Sequence, residues 1–371
     1  MIHPDHSIRK ELADQRPRTP VGLLSRAEKD RIIERGVHGL YRWYLARSQS
    51  KRNWNPDTFV RWPDMRKDHS PELMKIIEGF YAIEQYAPDY TAVTLRMNRK
   101  NYGRAQFQLR WGSEEEKHSD LWLNALLFSG QRSPEWVHEY KKSLREREWD
   151  TPWTDVIHGT FYVVFQERAT QLNYLNTAII AAGKSTNPAH ANDADPVLLE
   201  AAKTIAVDEA AHYSFFLEIG RLLMYYYPAE SIEAIWDIIT HFSMPAIDLI
   251  PNSEHIWKQF NDSDVFTPRQ FMGDVVATAL SHLGWESRKA LARGIKNNRL
   301  VPDEDGNLYS SAIFDEFGYD SIEKAVRKLH DKINDYERLM GLYAIDPTVF
   351  VPSGMPVRED VEEVENTSTE N

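Results

Sequence analysis

One short arrangement of residues occurs twice in this 371-residue chain: an acid, a glutamate, two spacers and a histidine. It reads Glu114-Glu115-Glu116-Lys117-His118, and again Asp208-Glu209-Ala210-Ala211-His212. Residues three apart share a helix face, so each copy aims a carboxylate and an imidazole at one point. A bundle can hold two metal ions when two such Glu-x-x-His helices face two helices with one inward Glu each. Glu84, ahead of the first copy, and Glu167, ahead of the second, can supply those, with Glu78 an alternative on the first stretch. Four ionised carboxylates then balance two divalent cations, and the imidazoles add no charge. Oxygen and imidazole donors suit iron or manganese, with zinc a competitor on affinity. Glu114 and Asp208 each stand four residues before the histidine of their own copy. There they are placed to accept its second ring N–H and fix its tautomer.

Helices must carry these residues to one depth. Apolar residues return every three or four positions over Pro71–Tyr86, Arg104–Ser129, Trp153–Ala182, Pro196–Tyr226, Ser231–Ile250, Pro268–Asn298 and Ser321–Tyr343, and strand signals are nearly absent. Residues 183–196 and 301–306 read as turn-rich connections. Residues 1–53 form a charged N-terminal arm with one short helix near Glu28–Ala46. Residues 54–250 form the core, residues 251–350 pack further helices on it, and residues 351–371 are an acidic, disordered tail.

Composition narrows the chemistry. There is no cysteine, which excludes thiolate metal sites, iron–sulfur clusters and cysteine nucleophiles. The formal net charge of -12 argues against a general nucleic-acid binder. No apolar run approaches the roughly 18 residues of a membrane span, and Met1–Pro20 lacks the apolar centre of a signal peptide, so the chain reads as cytoplasmic.

Longer motifs carry a resemblance. Phe165-Gln166-Glu167-Arg168-Ala169-Thr170, Asn176-Thr177-Ala178, Asp208-Glu209-x-x-His212 and Ser243-Met244-Pro245-Ala246 resemble the soluble acyl-acyl-carrier-protein desaturase family. So do Trp111 ahead of Glu114-Glu115-x-x-His118, Trp54-Asn55-Pro56-x-x-Phe59 and Glu84-x-x-x-Pro88-x-Tyr90, so that the likeness runs from Trp54 to Ala246.

The resemblance implies an all-α fold with a ferritin-like diiron four-helix core and additional packed helices. It implies two iron ions on Glu84, Glu115, His118, Glu167, Glu209 and His212, with Asp208 supporting a ligand. Thr170 would lie beside the oxygen-binding face and Trp54 on an electron route. The implied partners are an acyl-carrier protein bearing a fatty chain, a ferredoxin-type donor and dioxygen, in a homodimer.

After Thr170 the chain departs from the plant pattern with Gln171 and Tyr174-Leu175, which puts the reaction outcome in doubt and leaves hydroxylation open. Iron storage and a radical-generating reductase subunit, with Tyr162, Tyr174 or Tyr213 beside the metals, are further alternatives. An acidic carrier needs a local basic patch. The candidates are Arg61, Arg66 and Lys67; Arg99, Lys100 and Arg104; and Lys141, Lys142 and Arg145.

Overall fold

The computed structural model describes residues 26–297, 299–302, 308–311 and 318–340, so residues 1–25 of the N-terminal arm and the whole acidic tail lie outside the described residues. The helices are α1 (Arg26–Lys51), α2 (Pro71–Glu84), α3 (Ala87–Asn98), α4 (Tyr102–Phe128), α5 (Pro134–Leu144), α6 (Val156–Ala181), α7 (Pro196–Tyr226), α8 (Pro228–His241), α9 (Ser253–Asp262), α10 (Ala277–His282), α11 (Arg288–Asn297) and α12 (Tyr319–Leu339). A helical turn at Pro268–Gln270 and a π-turn at Phe271–Val276 lead into α10. One antiparallel strand pair, β1 (Arg299–Pro302) with β2 (Leu308–Ser311), interrupts the all-α pattern where only a turn-rich connection was expected.

Four long elements make the core. The broken pair α2–α3 packs on α4, α6 packs along α7, and α4 meets α7. Local chemistry starts these helices where the site needs them. Ser70 caps α2 by accepting from the Leu73 N–H at 3.1 Å, Asn101 accepts from Arg104 N–H at 3.0 Å, and Asp195 accepts from Val197 N–H at 2.8 Å. Each satisfies a backbone donor left over at a helix N-terminus. The α6 helix ends on Gly183, whose φ of +68° suits a residue without Cβ. Its N–H and that of Lys184 return to the carbonyls of Ile180 and Ile179.

Several elements differ from the sequence expectation. The short helix expected near Glu28–Ala46 is longer, a 26-residue helix over Arg26–Lys51. Its buried Ile33, Val37, Leu40, Tyr44 and Ser48 line one face that packs on α4 and α7. The α3 helix was not expected; Pro88 stands in its first turn, where a proline lacks only an N–H that would be unpaired anyway. The stretch read as one helix over Pro268–Asn298 breaks at Gly284, with φ +87°, and the short α5 and α9 were not expected.

Candidate metal centre

Each core helix brings one part of the cluster inward. Glu84 is the last residue of α2, at the break before α3, where the carbonyl of Ile83 accepts both the Tyr86 N–H and the Tyr90 hydroxyl. Glu115 and His118 come from α4, Glu167 from α6, and Glu209 and His212 from α7; all six are buried. The ligand atoms form two overlapping sets, Glu84–Glu115–His118–Glu209 and Glu115–Glu167–Glu209–His212, each with its atoms within 4.8 Å of one another. Glu115 and Glu209 are therefore shared, and each half adds one glutamate and one histidine of its own.

The imidazoles turn Nδ1 toward the carboxylates. His118 Nδ1 lies 3.3 Å from both Glu115 and Glu209, and His212 Nδ1 lies 2.9 Å from Glu115 and 3.4 Å from Glu167. Both Nδ1 atoms, Glu115 Oε1, Glu167 Oε2 and Glu209 Oε1 are buried without a hydrogen-bond partner. Buried polar atoms are rarely left unpaired, and a convergent group of them is the donor set that divalent cations satisfy. The residues present fit two such ions. Glu78 is not part of the set; it pairs with Lys75 and Arg132 in the middle of α2.

The far ring nitrogens show an exchange that spacing did not reveal. Glu114 does not serve His118 of its own copy. It lies 2.9 Å from His212 Nε2, while Asp208 lies 3.4 Å from His118 Nε2. The expectation of same-copy pairing is corrected. Each histidine reaches past the cluster to the opposite helix, because α4 and α7 face each other across it. Glu114 also accepts from Tyr44, Ser48 and Arg110. Asp208 accepts from Trp54 Nε1 at 3.0 Å and lies 3.5 Å from both Arg52 and Lys117. Trp54 in turn stacks on His118, with centroids 6.2 Å apart and planes 10° off parallel.

Three further groups touch the carboxylates. Trp111 Nε1 donates to Glu167 at 2.9 Å, and the Tyr174 hydroxyl donates to Glu84. Thr170 Oγ1 lies 2.9 Å from Glu209 Oε2, and 3.2 and 3.1 Å from the carbonyls of Gln166 and Glu167. Of the three tyrosines considered, only Tyr174 contacts the cluster; Tyr162 bonds the Ser243 carbonyl and Tyr213 bonds His282. Gln171, where the chain departs from the plant pattern, accepts a hydrogen bond from Arg168. Sequence reasoning missed Tyr44 and Ser48, whose helical spacing with Leu40 was the available signal.

Charge inside the cluster is unevenly shared. Burial, then the neighbouring Glu115 charge, pushes Glu84 up to about 8. Burial and Glu209 raise Glu167 well above the usual carboxylate range. Burial would raise Glu209 as well, but its close approach to both histidines holds it low. Burial opposes charging of His118 and His212, yet the surrounding carboxylates raise both. Burial likewise acts upward on Glu114, and bonds from His212, Ser48 and Tyr44 overcome it.

Comparison with known proteins agrees with this geometry. A family model described as fatty acid desaturase matches residues 79–297. Stearoyl-[acyl-carrier-protein] 9-desaturase 6 of Arabidopsis thaliana is 32% identical over 145 residues, covering 38% of this chain and 34% of the relative. Palmitoyl-[acyl-carrier-protein] 4-desaturase of Coriandrum sativum is 25% identical over 233 residues, covering 57% and 58%. Alignments to these two span between a third and somewhat over half of the curated relatives' length. Among solved structures, DesA2 of Mycobacterium tuberculosis H37Rv superposes with a TM-score of 0.47 at 16% identity, over 68% of this chain and 94% of that one.

Proposed function

The chain belongs to the fatty acid desaturase family, and from that premise we propose that it is an oxygen-dependent diiron desaturase acting on an acyl chain held by acyl-carrier protein. The observation that carries the reading is the pair of overlapping ligand sets sharing Glu115 and Glu209. The printed names of the relatives supply the substrate class.

Two iron ions, held by Glu84 with His118, Glu167 with His212 and the shared Glu115 and Glu209, would supply the dioxygen activation needed to take hydrogens from an unactivated C–H pair. The protein's own groups prepare that chemistry. Asp208 and Glu114 each accept from a ring N–H and fix the tautomer that leaves Nδ1 free as a ligand. Trp111 and Tyr174 hold the terminal carboxylates by donating to them, and thereby fix their rotamers.

Among the described residues, Thr170 is the one hydroxyl that reaches a shared carboxylate. Its single proton goes to the charged Glu209 oxygen in preference to the two longer carbonyl contacts. We assign it to orienting Glu209 on the side of the cluster facing α6. Trp54, Asp208 and His118 form a continuous hydrogen-bonded line, and because Trp54 is only half-buried its outer edge gives an external one-electron donor of ferredoxin type a place to approach.

The carrier is acidic, so a basic patch must meet it. Arg99 and Lys100, Lys142 and Arg145, and Arg61 and Lys67 are exposed and remain candidates, but Arg104 is buried and drops out. We read the active form as a homodimer, by analogy with the family. No helix among the described residues is long and apolar enough to cross a membrane. The test is aerobic incubation of iron-loaded, reduced protein with a panel of acyl carriers, followed by mass spectrometry of the released chains. Loss of two mass units supports desaturation, and a gain of sixteen would replace it with hydroxylation.

A further inference from the structure

Arg104 stands in the first turn of α4 and is only 4% exposed. One of its nitrogens donates to Thr160 Oγ1 at 3.1 Å, while Nε is buried without a partner. Among the described residues no carboxylate lies within ion-pair distance of it. Asp30 and Glu34 act on it only from afar, and burial draws the guanidinium down to about 10. Buried charges are ordinarily paired, because their lost hydration must be replaced. Arg104 lacks that replacement from the protein alone.

Arg104 lines a cavity of about 20 Å³ together with Met97, Phe107, Gln108, Thr160 and Phe216 among others, enough for one water molecule. Gln108 Oε1 is a second buried, unpartnered polar atom on its wall. Gly159 is needed there, since a Cβ would fall 2.6 Å from Met97 Sδ. The cavity lies inside the same four core elements as the ligands. Gln108 and Thr160 each precede a ligand, Glu115 and Glu167, by two helical turns, and Phe216 follows His212 by one. At 1.5 Å per residue this sets the cavity roughly 10 Å along the bundle from the cluster. Trp111 stands between them, donating to Glu167 and packing edge-on against Phe216.

We propose that this cavity receives the far end of the substrate chain, and that this end bears an oxygen, as a carboxylate or hydroxyl, which accepts hydrogen bonds from Arg104. The proposal rests on the acyl-desaturase reading and narrows its substrate class. A methyl end would fill the cavity and leave the guanidinium dry, whereas an oxygen can pair with Nε. Met97 is unbranched and flexible, and its displacement makes room for the terminal group.

The experiment measures equilibrium binding by calorimetry, without reductant so that no turnover occurs. Its ligands are acyl-carrier thioesters of equal chain length ending in methyl, hydroxyl or carboxylate, presented to the metal-loaded full chain and to Arg104→Met. Oxygen-ended chains should bind the wild type about tenfold or more tightly than methyl-ended ones, since a site with buried polar groups rejects a ligand lacking their partner. That preference should vanish in Arg104→Met. Methyl-ended chains binding the wild type as tightly, or a preference that survives the substitution, would overturn the proposal while leaving the desaturase reading intact. Failure of all three chain classes to bind would overturn the acyl-carrier reading, and this one with it. The wild-type comparison decides even if the variant does not fold.

Discussion

Glu84 with His118 and Glu167 with His212 form two halves of one cluster, sharing Glu115 and Glu209, yet they rest on different surroundings. On the His118 side the supporting acid is Asp208, which meets Trp54, Arg52 and Lys117 near the surface. On the His212 side it is Glu114, enclosed by Tyr44, Ser48 and Arg110 under α1. The terminal carboxylates differ as well. Glu84 ends a helix and takes a tyrosine hydroxyl, whereas Glu167 lies mid-helix and takes an indole N–H. Equivalent ligand sets are thus given unequal access: one half is joined to the exterior by a hydrogen-bonded aromatic, and the other is sealed.

The sharpest way to break this comparison is to remove shared and unshared ligands separately. Glu115→Ala or Glu209→Ala should abolish metal binding altogether, because both ions lose a ligand and the charge balance fails. His118→Ala and His212→Ala should each reduce occupancy to about one ion per chain. Metal analysis of the purified variants reads the difference. Equal losses in all four would mean that the two halves do not share a carboxylate pair.

Next in size is the difference in access. Trp54→Phe should keep its metal but slow reduction by a one-electron donor by about 10–100-fold, the range seen when a ligand's hydrogen-bonded support is removed. Tyr44→Phe should leave that rate nearly unchanged. Stopped-flow reduction under anaerobic conditions distinguishes them, and equal slowing in both would remove the asymmetry.

The cluster's protons give a third test. Burial raises Glu84 to about 8 and raises Glu167 as well, and the surrounding carboxylates raise both histidines, while Glu209 is held low. Binding a cation must displace those protons, so apparent metal affinity should rise as pH increases from 6 toward 8. Chelator competition at several pH values measures it, and a flat profile would show that the terminal acids are not ligands.

The smallest effect concerns the register of the two halves. Asp195 caps α7 through Val197 and also accepts from the Arg66 N–H and pairs with His69, so it ties the start of α7 to the segment leading into α2. Burial acts upward on its carboxyl, but these bonds hold it below the usual range. A depressed folded pKa stabilises above the unfolded value of about 3.9 and is lost as pH falls through the folded one. Asp195→Asn should therefore cost about 2 kcal/mol at pH 7 in urea unfolding, and less toward pH 3. A deficit that does not depend on pH would assign the role to packing.

The cluster was largely legible in the sequence because helical spacing dictates which residues share a face, and that rule places Glu115 with His118 and Glu209 with His212. The exchange of Glu114 and Asp208 was not, since spacing within one helix says nothing about the helix across from it. The α1 helix was obscured by its charged residues, although Ile33, Val37, Leu40, Tyr44 and Ser48 already repeat at helical intervals. Pro88 concealed α3 because the same residue that ends helices also begins them. Arg104 read as surface for a similar reason: its type suggests solvent, and only the packing of α4 against α6 places it inside.

The central claim is that six side chains hold two ions as two unequal halves of one site. Anomalous diffraction at the iron edge from crystals of iron-loaded protein tests it directly. The account predicts two peaks, one beside Glu84 and His118 and one beside Glu167 and His212, with Glu115 and Glu209 contacting both. A single peak, or two peaks with no shared carboxylate, would contradict it.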